Sequence, residues 1–166
     1  MSDSLLRELR RDELPQLLTM LHALGQSEGV PKVATSLDHL EQALFSPQPA
    51  AWCLLLVEQG AVAGFLIYSW KWATFTGIAE LYMQALYVDP TFRRRGLARA
   101  AMAGLAQIAL ARGCSRMEWL AVRDNAMSNG FYDACGAIRV EHMAVRRLTM
   151  PALAELAAEA YIEDMQ

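Results

Sequence analysis

Residues 86–98 read Leu86-Tyr87-Val88-Asp89-Pro90-Thr91-Phe92-Arg93-Arg94-Arg95-Gly96-Leu97-Ala98. The apolar residues at the start of this segment are typical of a strand, and Asp89-Pro90 ends it. Three arginines and a glycine then stand directly before a long apolar stretch that predicts a helix. The N-terminus of a helix offers free backbone N–H groups and the positive end of its dipole, so anions bind there. The segment therefore predicts a strand, a phosphate-binding turn and a helix.

Bulk properties narrow the class of protein. The chain has 166 residues, 54% of them hydrophobic, which predicts one folded domain spanning residues 1–166. Its formal net charge of −3 argues against general nucleic-acid binding. The first residues lack a signal-peptide pattern, and no uncharged apolar run reaches the length of a membrane span. Three widely spaced cysteines lack metal-ligand spacing. We expect a cytoplasmic protein that binds no nucleic acid, no membrane and no metal.

Upstream of the segment, the pattern predicts two helices and four strands. A helix is expected from Asp12 to Gly25, and a second one begins at a capping box formed by Thr35 and Asp38. Two dense apolar runs joined by the turn Gln59-Gly60 predict a hairpin. The four strands are expected over residues 4–9, 52–58, 62–70 and 80–88.

Downstream, a largely buried helix is expected over residues 97–112, ended by Gly113. Five further elements follow: strands over 117–122, 137–140 and 143–148, a helix over 125–134, and a helix that begins at Pro151. A strand–helix–strand crossover requires a parallel pair, whereas a hairpin requires antiparallel neighbours. The order therefore predicts an α+β fold. Its mixed, mostly antiparallel central sheet contains a parallel central pair and is flanked by helices.

The arginine turn admits two interpretations. Gly96 lets the backbone approach a ligand while Arg93, Arg94 and Arg95 neutralise phosphates, or the turn is only a basic cap on a loop. The chain has no glycine-rich loop ending in Lys-Ser/Thr and no three-glycine dinucleotide fingerprint. The two common nucleotide motifs therefore do not explain the turn, and a cofactor with a pyrophosphate is its natural ligand.

A second motif follows the crossover helix and one strand. Its members are Asn125, Phe131, Tyr132, Gly136 and Ala137. Taken after the pattern Arg93-x-x-Gly96-x-Ala98, it makes the whole chain resemble the GNAT superfamily of N-acetyltransferases. A narrower resemblance, to the diamine (spermidine/spermine) and thialysine acetyltransferase branch, covers nearly the whole chain.

The resemblance implies acetyl-CoA as co-substrate, held where the parallel strands splay around it, and it implies a homodimer. Backbone groups of Leu86 and Val88 would contact the pantetheine arm, and the Val88 N–H would donate to the thioester oxygen as it becomes an oxyanion. The implied cofactor-binding residues are Leu86, Tyr87, Val88, Arg93, Arg94, Arg95, Gly96, Leu97, Ala98, Arg99, Asn125, Ser128 and Tyr132.

The implied reaction is direct attack of a neutral amine on the thioester, which makes Tyr132 and Val88 the catalytic residues. Tyr132 would lie near the sulfur, and a tyrosine with an ordinary pKa of ~10 can protonate the leaving thiolate. The alternative for Tyr132 is a helix residue packed on the sheet. In the diamine branch, the strand before Tyr87-Val88 carries adjacent acidic residues. Here Gln84 and Ala85 occupy these positions, which argues against polyamine specificity and leaves the base unassigned.

Two carboxylates are candidates for the missing base. Glu80 shares a strand face with Gln84 and would act through a water molecule, unless it is only a solvated residue at the strand end. Glu28, in the first loop, is the second. The expected substrate contacts are Glu28, Gln84 and Trp119. We expect a small amine, amino-acid-like or a diamine, as acceptor. The alternatives are a non-catalytic acyl-CoA sensor and an acetyltransferase of protein lysines or N-termini.

Overall fold

A computed structural model of the chain describes residues 5–159, which form two compact units, one ending at Phe131 and the other beginning at Tyr132. The first unit contains a five-stranded sheet in the order β1-β2-β3-β4-β5. Its strands are β1 (Leu6–Glu8), β2 (Trp52–Glu58), β3 (Ala61–Trp72), β4 (Ala79–Val88) and β5 (Met117–Glu118). Neighbours are antiparallel except for β4 and β5, which are parallel. The predicted mixed sheet with one parallel pair is confirmed.

Helices precede and follow the sheet strands in the predicted order. Within residues 5–159 they are α1 (Leu14–Ser27), α2 (Leu37–Phe45), α3 (Leu97–Ala111), α4 (Ala126–Ala134) and α5 (Ala152–Ala158). Short 3₁₀ turns at Arg11–Glu13 and Pro90–Phe92 lead into α1 and towards α3. None of the helices in this part of the chain is long and apolar enough to cross a membrane.

One part of the core lies on the sheet face that carries α1 and α2. Leu17 and Leu40 from these helices pack against alternate sheet residues, among them Leu55, Phe65 and Tyr87. Alternate residues of a strand point to opposite faces. The other face therefore carries α3, whose Gly104 lies against the side chain of Leu6.

The boundaries of α1 differ from the prediction. The helix begins at Leu14 rather than at Asp12, because residues 11–13 form a 3₁₀ turn first. It also continues through Gly25 to Ser27. Gly25 is buried, and a Cβ there would overlap the side chain of Val33. Gly25 therefore serves close packing rather than ending the helix.

The cap of α2 is shifted by one residue. Ser36, not Thr35, caps the helix: its Oγ accepts the His39 N–H at 3.2 Å, and the Ser36 N–H donates to His39 Nδ1 at 3.3 Å. The predicted partner Asp38 lies in the first turn. Ser and Thr are both favoured N-cap residues, so their adjacency hides the boundary.

The predicted strands over 137–140 and 143–148 are wrong, since residues 137–148 form neither helix nor strand. Their apolar side chains alternate as in a strand but are exposed, Ile138 by 87%. β5 is also shorter than predicted and ends at Glu118 instead of Val122. Alternation indicates which face a strand would bury, but a strand also needs a hydrogen-bonded neighbour. Residue 4 of the predicted first strand lies outside the described residues.

Candidate active site

The end of β4 directs backbone groups away from β3. The Asp89 N–H donates to the Ala63 carbonyl of β3 at 2.8 Å. Backbone N–H groups alternate between the two sides of an extended strand, so the Val88 and Leu86 N–H groups point to the opposite side. Within the described residues, β5 pairs with β4 only at Leu81 and Tyr82. The last residues of β4, including Leu86 and Val88, therefore extend past β5, and their outer edge is open to a ligand.

Two of the three arginines hold the turn itself. Arg93 Nε donates to the Val88 carbonyl at 2.9 Å. Arg95 pairs with Glu58 of β2 at 3.2 Å and also donates to the Thr91 carbonyl at 3.2 Å. Both guanidinium groups therefore fasten the turn to the sheet, although the sequence predicted all three as phosphate ligands.

Arg94 differs from its neighbours. Its side chain is exposed and makes no ion pair or hydrogen bond with residues 5–159. Its backbone has a φ of 64°, a left-handed conformation that is uncommon for residues other than glycine. Backbone strain of this kind clusters at functional sites. Of the three arginines, Arg94 is the one without a partner among residues 5–159, so its whole guanidinium group is available to an anion.

The start of α3 completes an anion site. Gly96 caps the helix with a φ of 80°, and the Ala100 N–H donates to the Gly96 carbonyl at 3.0 Å as the first bond of the helical ladder. The N–H groups of Leu97, Ala98 and Arg99 precede that ladder and lie at the positive end of the helix dipole. A phosphate group fits this set of donors.

Asn125 and Ser128 are joined at the start of α4. Asn125 Oδ1 accepts the Ser128 N–H at 3.1 Å, which is the geometry of a helix cap. No sequence motif indicated Asn129, whose amide donates to the carbonyls of Val122 and Arg123 at 3.0 Å and fixes the preceding loop. Asn125 and Ser128 thus have a structural function, and cofactor contact by either one stays a prediction.

Tyr132 begins the second unit and is partly buried. Its carbonyl accepts the N–H groups of Cys135 at 3.0 Å and Ala137 at 3.1 Å. Gly136 has a φ of 86°, so this segment closes α4 as predicted. The role of Tyr132 as proton donor stays a prediction.

Gln84 occupies a β-bulge. Ile67 pairs with Ala85 and Tyr68 pairs with Met83, so Gln84 is the extra residue on β4. Its Nε2 donates to Ser69 Oγ at 3.0 Å on the adjacent strand. The bulge turns the exposed amide of Gln84 towards Ser69, at a position where the resembled branch has an acidic residue. No sequence signal indicated Ser69 as its partner.

Glu80 is buried and ion-paired. It lies opposite Lys71, and Tyr82 lies opposite Ser69, so Glu80 and Tyr82 share a face as predicted. The Glu80 side chain is 1% exposed and pairs with Lys71 at 3.4 Å and with Arg116. The alternative of a solvated residue at the strand end is therefore wrong. A role of Glu80 as base stays a prediction.

Two further residues predicted for the substrate site are Glu28 and Trp119. Glu28 is exposed just after α1, and its carboxylate makes no hydrogen bond or ion pair with residues 5–159. Trp119 is half-buried directly after β5.

Burial raises the pKa of the Cys53 thiol to about 12, so that thiol is not a nucleophile. No group of three metal-ligating side chains occurs in the part of the chain that the structure describes.

Comparison with known proteins identifies the family of the chain. The model of the Acetyltransferase (GNAT) family matches residues 8–137. The chain belongs to the GNAT family. This GNAT protein is 29% identical to thialysine N-epsilon-acetyltransferase of Caenorhabditis elegans over 123 residues, which are 74% of this chain and 75% of that one. It is also 29% identical to the thialysine N-epsilon-acetyltransferase of Sus scrofa over 150 residues, 82% of this chain and 85% of the relative.

Solved structures share the fold of this GNAT protein. An integron cassette protein from the mobile metagenome of V. cholerae superimposes with a TM-score of 0.76 at 25% identity, over 92% of this chain and 96% of that one. The family and the named relatives together show a GNAT-type enzyme that acetylates amines, with relatives that act on small-molecule amines.

Proposed function

We propose that this GNAT enzyme transfers an acetyl group from acetyl-CoA to the primary amine of a small molecule, either amino-acid-like or a diamine. The observation that carries the proposal is the anion site before α3, where Arg94 and the first N–H groups of the helix lie next to the outer edge of β4. A pyrophosphate is the part of acetyl-CoA that suits such donors. The unpaired edge of β4 suits an extended pantetheine arm with amide groups.

The proposed reaction proceeds through a tetrahedral intermediate and includes two proton transfers. The neutral amine attacks the thioester carbon, the carbonyl oxygen becomes an oxyanion, and the Val88 N–H stabilises it. The tetrahedral intermediate then collapses, the C–S bond breaks, and Tyr132 donates a proton to the thiolate. The attacking nitrogen, which carries an extra proton after the attack, releases it to a carboxylate or to water. The products are the N-acetylated amine and CoA.

The class of amine substrate is inferred from the bulge at Gln84. An exposed amide bonded to Ser69 offers a neutral acceptor where two carboxylates would attract a polycation. Ala85, its neighbour, offers no polar group. Substrates with one ammonium group near the reacting amine, as in a basic amino acid, therefore suit the site better than spermidine or spermine. The names of the thialysine acetyltransferase relatives support this class.

A CoA-release assay tests the proposal directly. The enzyme is incubated with acetyl-CoA and a panel of thialysine, lysine, ornithine, diamines, spermidine and a lysine peptide, and free thiol is measured. We expect release above the hydrolysis background with an amino-acid-like amine. Acetyl-CoA binding without release for any amine would instead support a sensor, and release only with the peptide would support a protein acetyltransferase.

We propose a homodimer in the cytoplasm as the working form. Exposed apolar side chains between residues 138 and 148 support an interface; examples are Ile138, Met143 and Val145. Light scattering of the purified chain tests the dimer, and fractionation of cells tests the compartment. A monomer at micromolar concentration would contradict the assembly without bearing on the chemistry.

A further inference from the structure

The parallel pair β4–β5 has very little backbone pairing. Leu81 pairs with Met117, Tyr82 pairs with Glu118, and the register ends there in the described residues. Two paired positions of an edge strand provide few hydrogen bonds, and short strands are marginal without side-chain support. A further interaction must therefore fix the position of β5.

Four charged side chains supply that interaction. Lys71 on β3 contacts Glu80 on β4 at 3.4 Å and also pairs with Glu118 on β5. Arg116, directly before β5, pairs with Glu80 and lies 3.5 Å from Glu118. Each cation thus contacts both carboxylates. The four residues form a closed network that spans three strands, and we call it the β3–β5 ionic cluster.

Burial makes this cluster different from a surface salt bridge. Glu80 is 1% exposed, and its carboxylate faces Lys71 through Oε2 and Arg116 through Oε1. A buried carboxylate is strongly destabilising when a partner is removed, because its charge is left without compensation. The pKa of Lys71 is raised, first by its hydrogen bond with Glu118 and also by Glu80, so the ammonium stays charged. Glu80 therefore requires Arg116, and through it the start of β5, to remain in place.

We propose that the β3–β5 ionic cluster sets the position of β5 and thereby the width of the cleft beside β4 in which acetyl-CoA is held. This inference rests on the proposed function, because it assigns the cleft to acetyl-CoA. It makes Lys71, Glu80, Arg116 and Glu118 positioning residues. Each oxygen of Glu80 faces a cation, and the cluster therefore uses this carboxylate for positioning.

Hydrogen exchange and cofactor binding test the proposal on the whole chain. The variants are Glu80→Gln and the milder Glu118→Gln, with Glu155→Gln in α5 as the matched exposed control. Amide exchange is followed over residues 114–120, and the Kd of CoA is measured by calorimetry. We expect both cluster variants to speed exchange over 114–120 and to weaken CoA binding, each by about tenfold for Glu80→Gln. The control should match the wild type.

Kinetics separate positioning from proton transfer. We expect Glu80→Gln to raise the KM for acetyl-CoA while kcat at saturation keeps the wild-type pH profile, and Arg116→Lys to behave like the wild type in exchange. Wild-type exchange and CoA affinity in both cluster variants would overturn the proposal. So would a loss of kcat and of one limb of the pH profile in Glu80→Gln alone, which would make Glu80 the base. If the wild-type chain fails to bind CoA, the proposed function fails, and the exchange rates alone decide whether the cluster positions β5.

Discussion

Gly64 of β3 lies directly opposite Val88 of β4. A Cβ built on Gly64 would overlap the carbonyl oxygen of Tyr87 and contact the Val88 backbone. The residue whose N–H is proposed to stabilise the oxyanion is therefore positioned by a glycine that is 24 residues away in sequence. Any side chain at position 64 must push the end of β4 outward.

Gly64→Ala is expected to destabilise the fold and to reduce activity. Overpacking against a fixed backbone costs about 1–3 kcal/mol, and the displaced Val88 would also lose its alignment with the thioester. Urea denaturation and kcat/KM for acetyl-CoA measure the two effects. Gly130→Ala is the control, because it lies in α4 with open space around its Cβ, and it should gain up to about 1 kcal/mol. An unaltered midpoint for Gly64→Ala would contradict the close approach.

Arg94→Gly is expected to raise the KM for acetyl-CoA by about tenfold while leaving stability unchanged or slightly higher, because glycine adopts the left-handed backbone without strain and only the charge is lost. Raising the salt concentration should weaken cofactor binding to the wild type more than to this variant. Arg112→Gln removes the same charge at the far end of α3, where the guanidinium lies over Trp70. It should leave the KM unaltered, and an equal change in both variants would argue against a local phosphate contact.

Tyr132→Phe is expected to lower kcat by about 100-fold at neutral pH, since general acid catalysis commonly contributes at least that much. The KM for acetyl-CoA should stay within about twofold of the wild-type value, because the ring is kept. Tyr68→Phe is the matched control: Tyr68 is buried against Trp52 and Trp70, and burial raises its pKa. Normal turnover by Tyr132→Phe would remove this residue from the mechanism.

Gln84→Glu combined with Ala85→Asp is expected to shift the preference towards diamines and polyamines. The ratio of kcat/KM for spermidine to that for a basic amino acid should rise about fivefold, a size typical of exposed charge pairs. Gln84 is exposed, so a carboxylate there needs no buried counter-charge, whereas Ala85 packs against the core and its replacement by Asp also costs stability. Gln84→Leu removes the hydrogen bond to Ser69 without adding charge and should leave the ratio unaltered. An unchanged ratio in the acidic variant would place substrate recognition elsewhere.

Acid stability is expected to depend on Glu13. Arg7 donates two hydrogen bonds to its carboxylate, at 2.8 and 2.6 Å, and these chiefly lower the pKa of Glu13 from 4.5 to about 2. Because the folded pKa is the lower one, this stabilisation is present above pH 4.5 and is lost as the pH falls towards 2. Glu13→Gln should cost about 2 kcal/mol at neutral pH and flatten the stability curve in that window. Asp12→Asn, whose partner Arg10 is 3.6 Å away and exposed, should change stability by less than about 0.5 kcal/mol.

The parts of the fold that the sequence predicted are those specified locally. The hairpin turn at Gln59-Gly60 and the end of α3 at Gly113 follow from backbone conformations that neighbouring residues dictate. The strands over 137–148 failed because a strand depends on a distant partner, and alternation at Ile138 and Val140 gives no information about that partner. Whether a predicted strand forms therefore depends on its long-range pairing and not on how regular its apolar alternation is.

The candidate site likewise combines features specified by neighbouring residues with features that depend on distant partners. The arginine turn was predictable because its residues are adjacent, but the separate tasks of Arg93, Arg94 and Arg95 depend on Glu58 and Val88. A bulge shifts Gln84 onto Ser69, and bulges leave no periodic trace in a single sequence. The contacts of Glu80 with Lys71 and Arg116 join three strands, so no spacing along the chain indicated them.

Two of the turn arginines already have partners within the protein, and this bears on how a ligand is acquired. Arg93 and Arg95 already hold the loop through these contacts, so under the proposed function a phosphate would have to immobilise only Arg94. Ordering one long side chain costs about 0.5–1.5 kcal/mol, far less than ordering a loop. Under the proposed function, the encounter with acetyl-CoA, rather than the ordering of this loop, would therefore limit the rate of loading.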